Sequence, residues 1–262
     1  MNRYFTATLA AVAVGFIGSG LIALYFLRPS AVRQQVAVER WAQLHRYTND
    51  NKSFTKPSSG ENPAVFFGDS ITYYWDLGKY FPGKRYINRG IKEQTTSQLL
   101  LRFRRDVIAL KPAAVVILGG INDIAEYSGP MSLETIQNNY ASMADLAAQN
   151  RIATVFGSIL PVNDYAGAAV TARRSPEKIR EVNAWLQNYC AQGHCTYIDY
   201  YRAMIDERGM LRVDFSHDGV HPNATAYGVM APLAQSAIDK AVGSERESLA
   251  PSSRFERHAH TR

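Results

Sequence analysis

The chain opens with a charge-free, mostly apolar run over residues 4–27. Roughly 20 apolar residues suffice to cross a bilayer as a helix, so the run predicts a membrane anchor. A cleaved signal peptide is the second reading. The run is longer than the usual apolar core of about 7–15 residues, and no clear A-x-A site closes it, so we favour the anchor. Behind it, Val32, Val36, Trp41, Leu44 and Tyr47 recur at roughly helical spacing, which predicts a helical stem over 28–50. Residues 49–63 are polar, hold Pro57 and Pro63, and read as a linker.

From residue 64 onward short apolar runs alternate with helical patterns. Runs at 64–67, 86–88, 113–118, 152–159 and 196–199 predict five strands. Helical spacing covers 94–110, which stops before Pro112, then 133–149 with Ser132 as N-cap, 176–191 with Pro176 at its start, and 223–242. Strands that are apolar throughout, separated by helices, imply an α/β fold with a mainly parallel sheet covered on both faces. The residues from Ser244 onward are polar and mixed in charge and are expected to be disordered. The expected divisions are an anchor or signal at 1–28, a stem and linker at 29–61, a globular domain at 62–243 and a tail at 244–262.

Composition alters this picture little: 46% apolar and 20% charged residues suit a globular domain with a real core. The net charge of +6 is spread over clusters such as Arg102, Arg104 and Arg105. We read these as solvated faces rather than a nucleic-acid surface. The basic stretch behind the apolar run leaves attraction to an anionic membrane as a second reading. Cys190 and Cys195 allow a small-loop disulfide, a pair of buried thiols, or a zinc site with His194, although that spacing matches no standard zinc pattern. Counted literally, Arg3 against Arg28, Arg33, Arg40 and Arg46 keeps the domain in the cytoplasm. Large C-terminal domains are often translocated regardless of such charges, and a disulfide needs an oxidising compartment. We therefore place the domain outside the cytoplasm, periplasmic or, if the segment is cleaved, secreted.

Four blocks carry candidate chemistry. Gly68-Asp69-Ser70 ends the first strand, Gly90 the second, and Asn122 follows the third, so all three share the rim where parallel sheets bind ligands. The fourth, Asp218-Gly219-Val220-His221, sits in a loop before the last helix. A serine hydroxyl becomes a nucleophile when a base removes its proton. Ser70 is the candidate nucleophile, His221 the base, and Asp218 the group that orients and stabilises the imidazolium. Alternatively, Asp69-Ser70 only caps a helix. The Ser70 and Gly90 N–H groups and the Asn122 amide are candidate oxyanion donors. Asp123 is expected to start a helix or brace the Asn122 loop. His217 and His221 spell H-x-x-x-H, but Gly219 and Pro222 argue against a helix there, and no metal is expected. Asp69, Tyr73, Trp75 and Tyr127 are candidate substrate contacts, with Tyr74, Ile124 and Met131 nearby; core packing is the competing reading for the aromatics.

With these residues quoted, the chain resembles the SGNH hydrolases, also called the GDSL esterase/lipase superfamily, over roughly residues 62–242. Ile71 stands where that family usually has Leu. The resemblance implies a flavodoxin-like three-layer α/β/α sandwich and a Ser70–His221–Asp218 triad. It also implies an oxyanion hole of Ser70, Gly90 and Asn122. No metal or organic cofactor is expected, and the substrate is a small-molecule, lipid or glycan ester. The lysophospholipase L1/arylesterase-like group is the nearest in kind. Lysophospholipids and O-acetyl groups of envelope polysaccharides are the candidate substrates. An O-acetyltransferase, or a membrane-tethered binding module without catalysis, are the alternatives.

Overall fold

The computed structural model describes residues 32–54 and 63–249. The apolar run at 4–27, most of the expected linker and residues 250–262 lie outside them. Among the described residues no helix is long and apolar enough to cross a membrane. The chain divides into two compact units, residues 1–46 and 47–262. In the first, a helix over 32–41 (α1) is shorter than the expected stem. Gln43 adopts a left-handed φ of 52°, which interrupts the helical ladder.

The second unit is an α/β fold. Its strands are β1 (Ala64–Gly68), β2 (Ile87–Gly90), β3 (Ala114–Leu118), β4 (Ala153–Gly157) and β5 (Thr196–Ile198). They form one sheet in the order β2-β1-β3-β4-β5. All four pairings are parallel, with Gly68 in register with both Gly90 and Leu118. β1, β3 and β4 are buried at every position, which explains their uninterrupted apolar sequences.

Two short helices, α3 (Ser70–Tyr73) and α4 (Leu77–Tyr80), follow β1, and α2 (Thr48–Ser53) precedes it. α5 (Thr96–Asp106) joins β2 to β3, and the chain between β3 and β4 holds α6 (Ile121–Ile124) and α7 (Leu133–Gln149). Between β4 and β5 lie α8 (Val170–Arg173) and α9 (Pro176–Tyr189). α10 (Tyr200–Met204) and the long α11 (Ala224–Leu249) close the order. The crossovers through α5, α7 and α9 all step the same way across the sheet. Right-handed connection therefore puts them on one face, and they pack side by side. The step from β1 to β2 runs the other way and sends α3 and α4 to the opposite face, where α11 packs on β3, β4 and β5. The step reverses at β1, so a crevice opens between the ends of β1 and β3.

Local chemistry sets the helix starts. Thr95 and Gln98 form a capping box at α5. Ser132 Oγ accepts from Thr135 N at α7, as expected, and Ser175 with Pro176 opens α9. α5 ends at Asp106 and gives way to a tight turn over Ile108–Leu110, earlier than the apolar spacing predicts. α11 runs past the expected end at 242 into the segment expected to be disordered. No glycine or proline intervenes between Ser244 and Leu249, so nothing stops the ladder once the apolar face ends. Cys190 and Cys195 are joined in a disulfide that closes the turn between α9 and β5. His194 there stacks on Tyr189, 4.5 Å between ring centres.

Candidate active site

Gly68 ends β1 where any side chain would strike the Leu118 carbonyl and the Thr72 hydroxyl. The chain then turns sharply. Asp69 caps α3, its Oδ1 accepting from Ile71 N at 2.9 Å, and Ser70 becomes the first helical residue. Far along the chain, residues 214–223 form a loop tied at both ends. Asn223 N donates to Phe215 O, Asn223 Nδ2 to Asp214 O, and Asn163 N to Gly219 O. This loop brings His221 Nε2 to 2.9 Å from Ser70 Oγ and His221 Nδ1 to 2.6 Å from Asp218 Oδ2. With Nδ1–H facing the carboxylate, Nε2 is the acceptor for the serine proton. Asp218 Oδ1 also accepts from Val220 N and His221 N. Burial alone would raise the Asp218 pKa. The His221 side-chain bond and the two backbone N–H bonds outweigh that and hold it well below the usual carboxylate range. The carboxylate thus stays ionised and able to steady a protonated imidazole. Tyr74 meets the His221 ring edge-on at 5.6 Å. His217 is exposed, outside this chain of bonds.

Asn122 stands on α6, behind the left-handed Gly120 (φ 103°). It is buried, and its Nδ2 donates to Gln94 O at 3.1 Å, leaving a second amide hydrogen for a ligand. Asp123 braces this loop by accepting from the Thr96 N–H and hydroxyl at the start of α5. Burial, offset in part by those bonds, pushes the Asp123 pKa to about 6.

Three expected contacts are corrected. The Gly90 N–H donates to Asn88 Oδ1 at 2.8 Å and its carbonyl accepts from the Tyr47 hydroxyl, so the Gly90 N–H is not free for an oxyanion. Glycine is required there because a side chain would strike the backbone of Thr72 and Tyr73. Asn88, which sequence reasoning missed, also donates to Thr72 O and Trp75 O and so fastens α3 to β2. Trp75 is 2% exposed and packs on Phe66, Phe81 and Tyr227 in the core. Asp69 is wholly buried, a cap rather than a surface contact. Tyr73 is half-buried beneath Lys92, and Tyr127 is exposed beside Arg173 and Arg174. Glu93, just past β2, holds a left-handed φ of 64° and is exposed. Positive φ at a strand end is a signal that sequence alone shows only when glycine or asparagine carries it.

Burial pushes the Asp69 carboxyl up to about 7, only partly offset by the Ile71 N–H bond. The folded state therefore holds a proton that the unfolded chain, with an ordinary value of 3.8, has released. Stability from this group is present at low pH and is lost as pH rises through about 4 to 7. Asp69→Asn keeps the cap and removes the titration. By pH 8 it is expected to stabilise the fold by on the order of 2 kcal/mol relative to its effect at pH 5. Thermal unfolding at both pH values checks this, and an equal shift at each would refute it.

A doubly wound parallel sheet with a serine, an imidazole and a carboxylate linked at its switch point defines a serine hydrolase architecture. The chain belongs to the GDSL-like Lipase/Acylhydrolase family, whose profile matches residues 66–229. Members of that family are serine ester hydrolases, and this chain is an enzyme of that kind. No curated protein matches the sequence. Among solved structures, the chain is similar to a Bacteroides fragilis protein assigned as an acylhydrolase, at 39% identity and a TM-score of 0.72, covering 77% of this chain and 98% of that one. It is also similar to a GDSL-like lipase of Bacteroides thetaiotaomicron, at 38% identity and a TM-score of 0.70, covering 76% and 98%. An acetylxylan esterase of Geobacillus stearothermophilus shares the fold at 20% identity and a TM-score of 0.55, covering 70% and 96%.

Proposed function

We propose that the chain is a carboxylic ester hydrolase working through an acyl-enzyme on Ser70, with a small acyl group as its substrate preference. The observation that carries this reading is the unbroken line of bonds from Ser70 Oγ through His221 to Asp218. Ser70 Oγ attacks the ester carbonyl as His221 Nε2 takes its proton, and Asp218 steadies the imidazolium. The oxyanion is met by the Ser70 N–H and the free hydrogen of Asn122 Nδ2. With Gly90 committed elsewhere, the Glu93 N–H, in the same loop as the Gln94 carbonyl that Asn122 holds, is the candidate third donor. Collapse returns the proton to the leaving alcohol, and water activated by His221 releases the acid.

The small-acyl preference rests on the rim. Trp75 lies in the core, and the exposed rings near the site are tyrosines accompanied by Lys92, Arg173 and Arg174. This suits an O-acetyl ester better than a long acyl chain. The disulfide at Cys190 and Cys195 supports an extracytoplasmic location for the domain, since such bonds are rare in reducing compartments. A fluorophosphonate probe should label Ser70, and 4-nitrophenyl esters from C2 to C12 should be turned over with a steep preference for C2. Rates that rise with chain length would overturn the small-acyl reading, and absence of labelling the nucleophile.

A further inference from the structure

Two guanidinium groups converge on one phenol beside the catalytic loop. Arg173 lies 5.3 Å and Arg174 5.5 Å from the Tyr127 ring centre. Arg174 donates an η-nitrogen hydrogen to the Tyr127 hydroxyl at 3.0 Å, and Arg173 reaches the Ala125 carbonyl at 3.4 Å. Tyr127 is itself tied to the site, because its N–H donates to the Asn122 carbonyl at 3.0 Å. Among the described residues no carboxylate pairs with either arginine within 4.0 Å. Two like charges brought together repel, and among the described residues no carboxylate stands within ion-pair distance to offset them.

A second observation points the same way. Arg174 Nε is buried and has no hydrogen-bond partner among the described residues. A buried charged donor left unpaired is costly, and an anion or a water is what completes such a group. The Arg174 charge is also felt at Asp69, next to Ser70, where it offsets a small part of the rise that burial imposes. Arg173 lines a cavity of about 360 Å³ with Ala125, Ser175 and Lys178, where Glu126 is the carboxylate among its walls.

We propose that Arg174, with Arg173 and the Tyr127 hydroxyl, forms a subsite for an anionic group, a carboxylate or phosphate, carried by the ester substrate. This deepens the esterase reading and rests on it. A planar guanidinium pairs with such groups in a fork, through two parallel hydrogen bonds. The subsite therefore selects among esters whose reacting carbonyls are alike.

The test compares matched esters. On the alcohol side these are 4-acetoxybenzoate and its methyl ester; on the acyl side, 4-nitrophenyl hydrogen succinate and 4-nitrophenyl methyl succinate. The readout is the ratio of kcat/KM for the anionic ester to that for the neutral one. In Arg174→Gln the ratio is expected to fall about tenfold in at least one pair, as for loss of a hydrogen bond to a charged group. The pair that responds shows which side of the ester carries the anion. Arg174→Lys should restore part of the ratio, and 0.5 M salt should weaken it in the wild type. Tyr127→Phe, which removes only the phenol oxygen, should lower the ratio less and covers the case of a misfolded Arg174→Gln. Unchanged ratios in both pairs overturn the subsite. If the wild type turns over none of the esters, the esterase reading falls instead. Calorimetric binding of 4-hydroxybenzoate and inorganic phosphate, compared in wild type and Tyr127→Phe, then decides the subsite alone: equal or absent binding overturns it.

Discussion

Ser70→Ala is expected to lower kcat/KM for 4-nitrophenyl acetate by roughly 10⁵–10⁶-fold while the protein stays folded. The residue is 8% exposed and among the described residues its hydroxyl bonds only to His221, so removing one oxygen costs little stability. In the proposed mechanism the chemistry has no substitute for it, because the hydroxyl is the atom that joins the acyl group. His221→Ala should fall nearly as far, and His217→Ala should not, since His217 lies outside the bonded chain. Asp218→Asn should be milder, by roughly 10⁴-fold at most. Its carboxylate is 54% exposed, so water can partly take over the orienting role. Steady-state kinetics beside circular dichroism would decide the matter. Undiminished turnover by Ser70→Ala would remove the nucleophile from the mechanism.

The largest loss of stability is expected from Arg102→Ala. Arg102 is fully buried, and its guanidinium lies over the Phe67 ring at 4.1 Å. It donates to Gln94 Oε1, to Asp106 Oδ2 at 3.0 Å and to the Gly68 carbonyl at 2.9 Å. Burial draws its pKa down to about 10, with Asp106 opposing. Alanine would leave Asp106, 2% exposed, without its guanidinium partner and would empty the space above Phe67. Breaking a buried pair in this way costs about 3–5 kcal/mol, which chemical denaturation would measure. Arg102→Met fills the space but restores no charge, so it should recover only part of the loss. A cost below about 1 kcal/mol for Arg102→Ala would mean that the pair behaves as if at the surface.

What the sequence disclosed follows from how far each signal acts. Strand ends were legible because Gly68 and Gly90 stop apolar runs, and the Asp218–His221 pair because it acts within four residues. Gly90 illustrates the opposite case. Its need for glycine comes from α3, an element that arrives from elsewhere, so a packing constraint reads as a substrate contact. Trp75 follows Ser70 closely in sequence, yet the short turn of α3 carries it into the core. Asn88 gives no signal, and Arg102 reads with Arg104 and Arg105 as a solvated face although it is fully buried, since a polar residue looks alike in sequence whether it meets water or a buried carbonyl. The extension of α11 was missed because helix termination was inferred from the loss of apolar periodicity, and a ladder needs no apolar face to continue.

The hydroxyl of Tyr47 on the Gly90 carbonyl has a counterpart in Asn51. That side chain donates to Asp106 Oδ1 and accepts from Arg89 Nε and Nη2, while the Arg89 guanidinium lies over the Tyr47 ring. Both residues precede the family segment, which begins at 66. These bonds therefore come from residues outside the segment that the family profile matches. A fragment or chimaera cut where the family segment begins discards the clasp that ties β2 to the end of α5. The strand uncovered by that loss pairs with β1, which leads directly into the turn at Ser70.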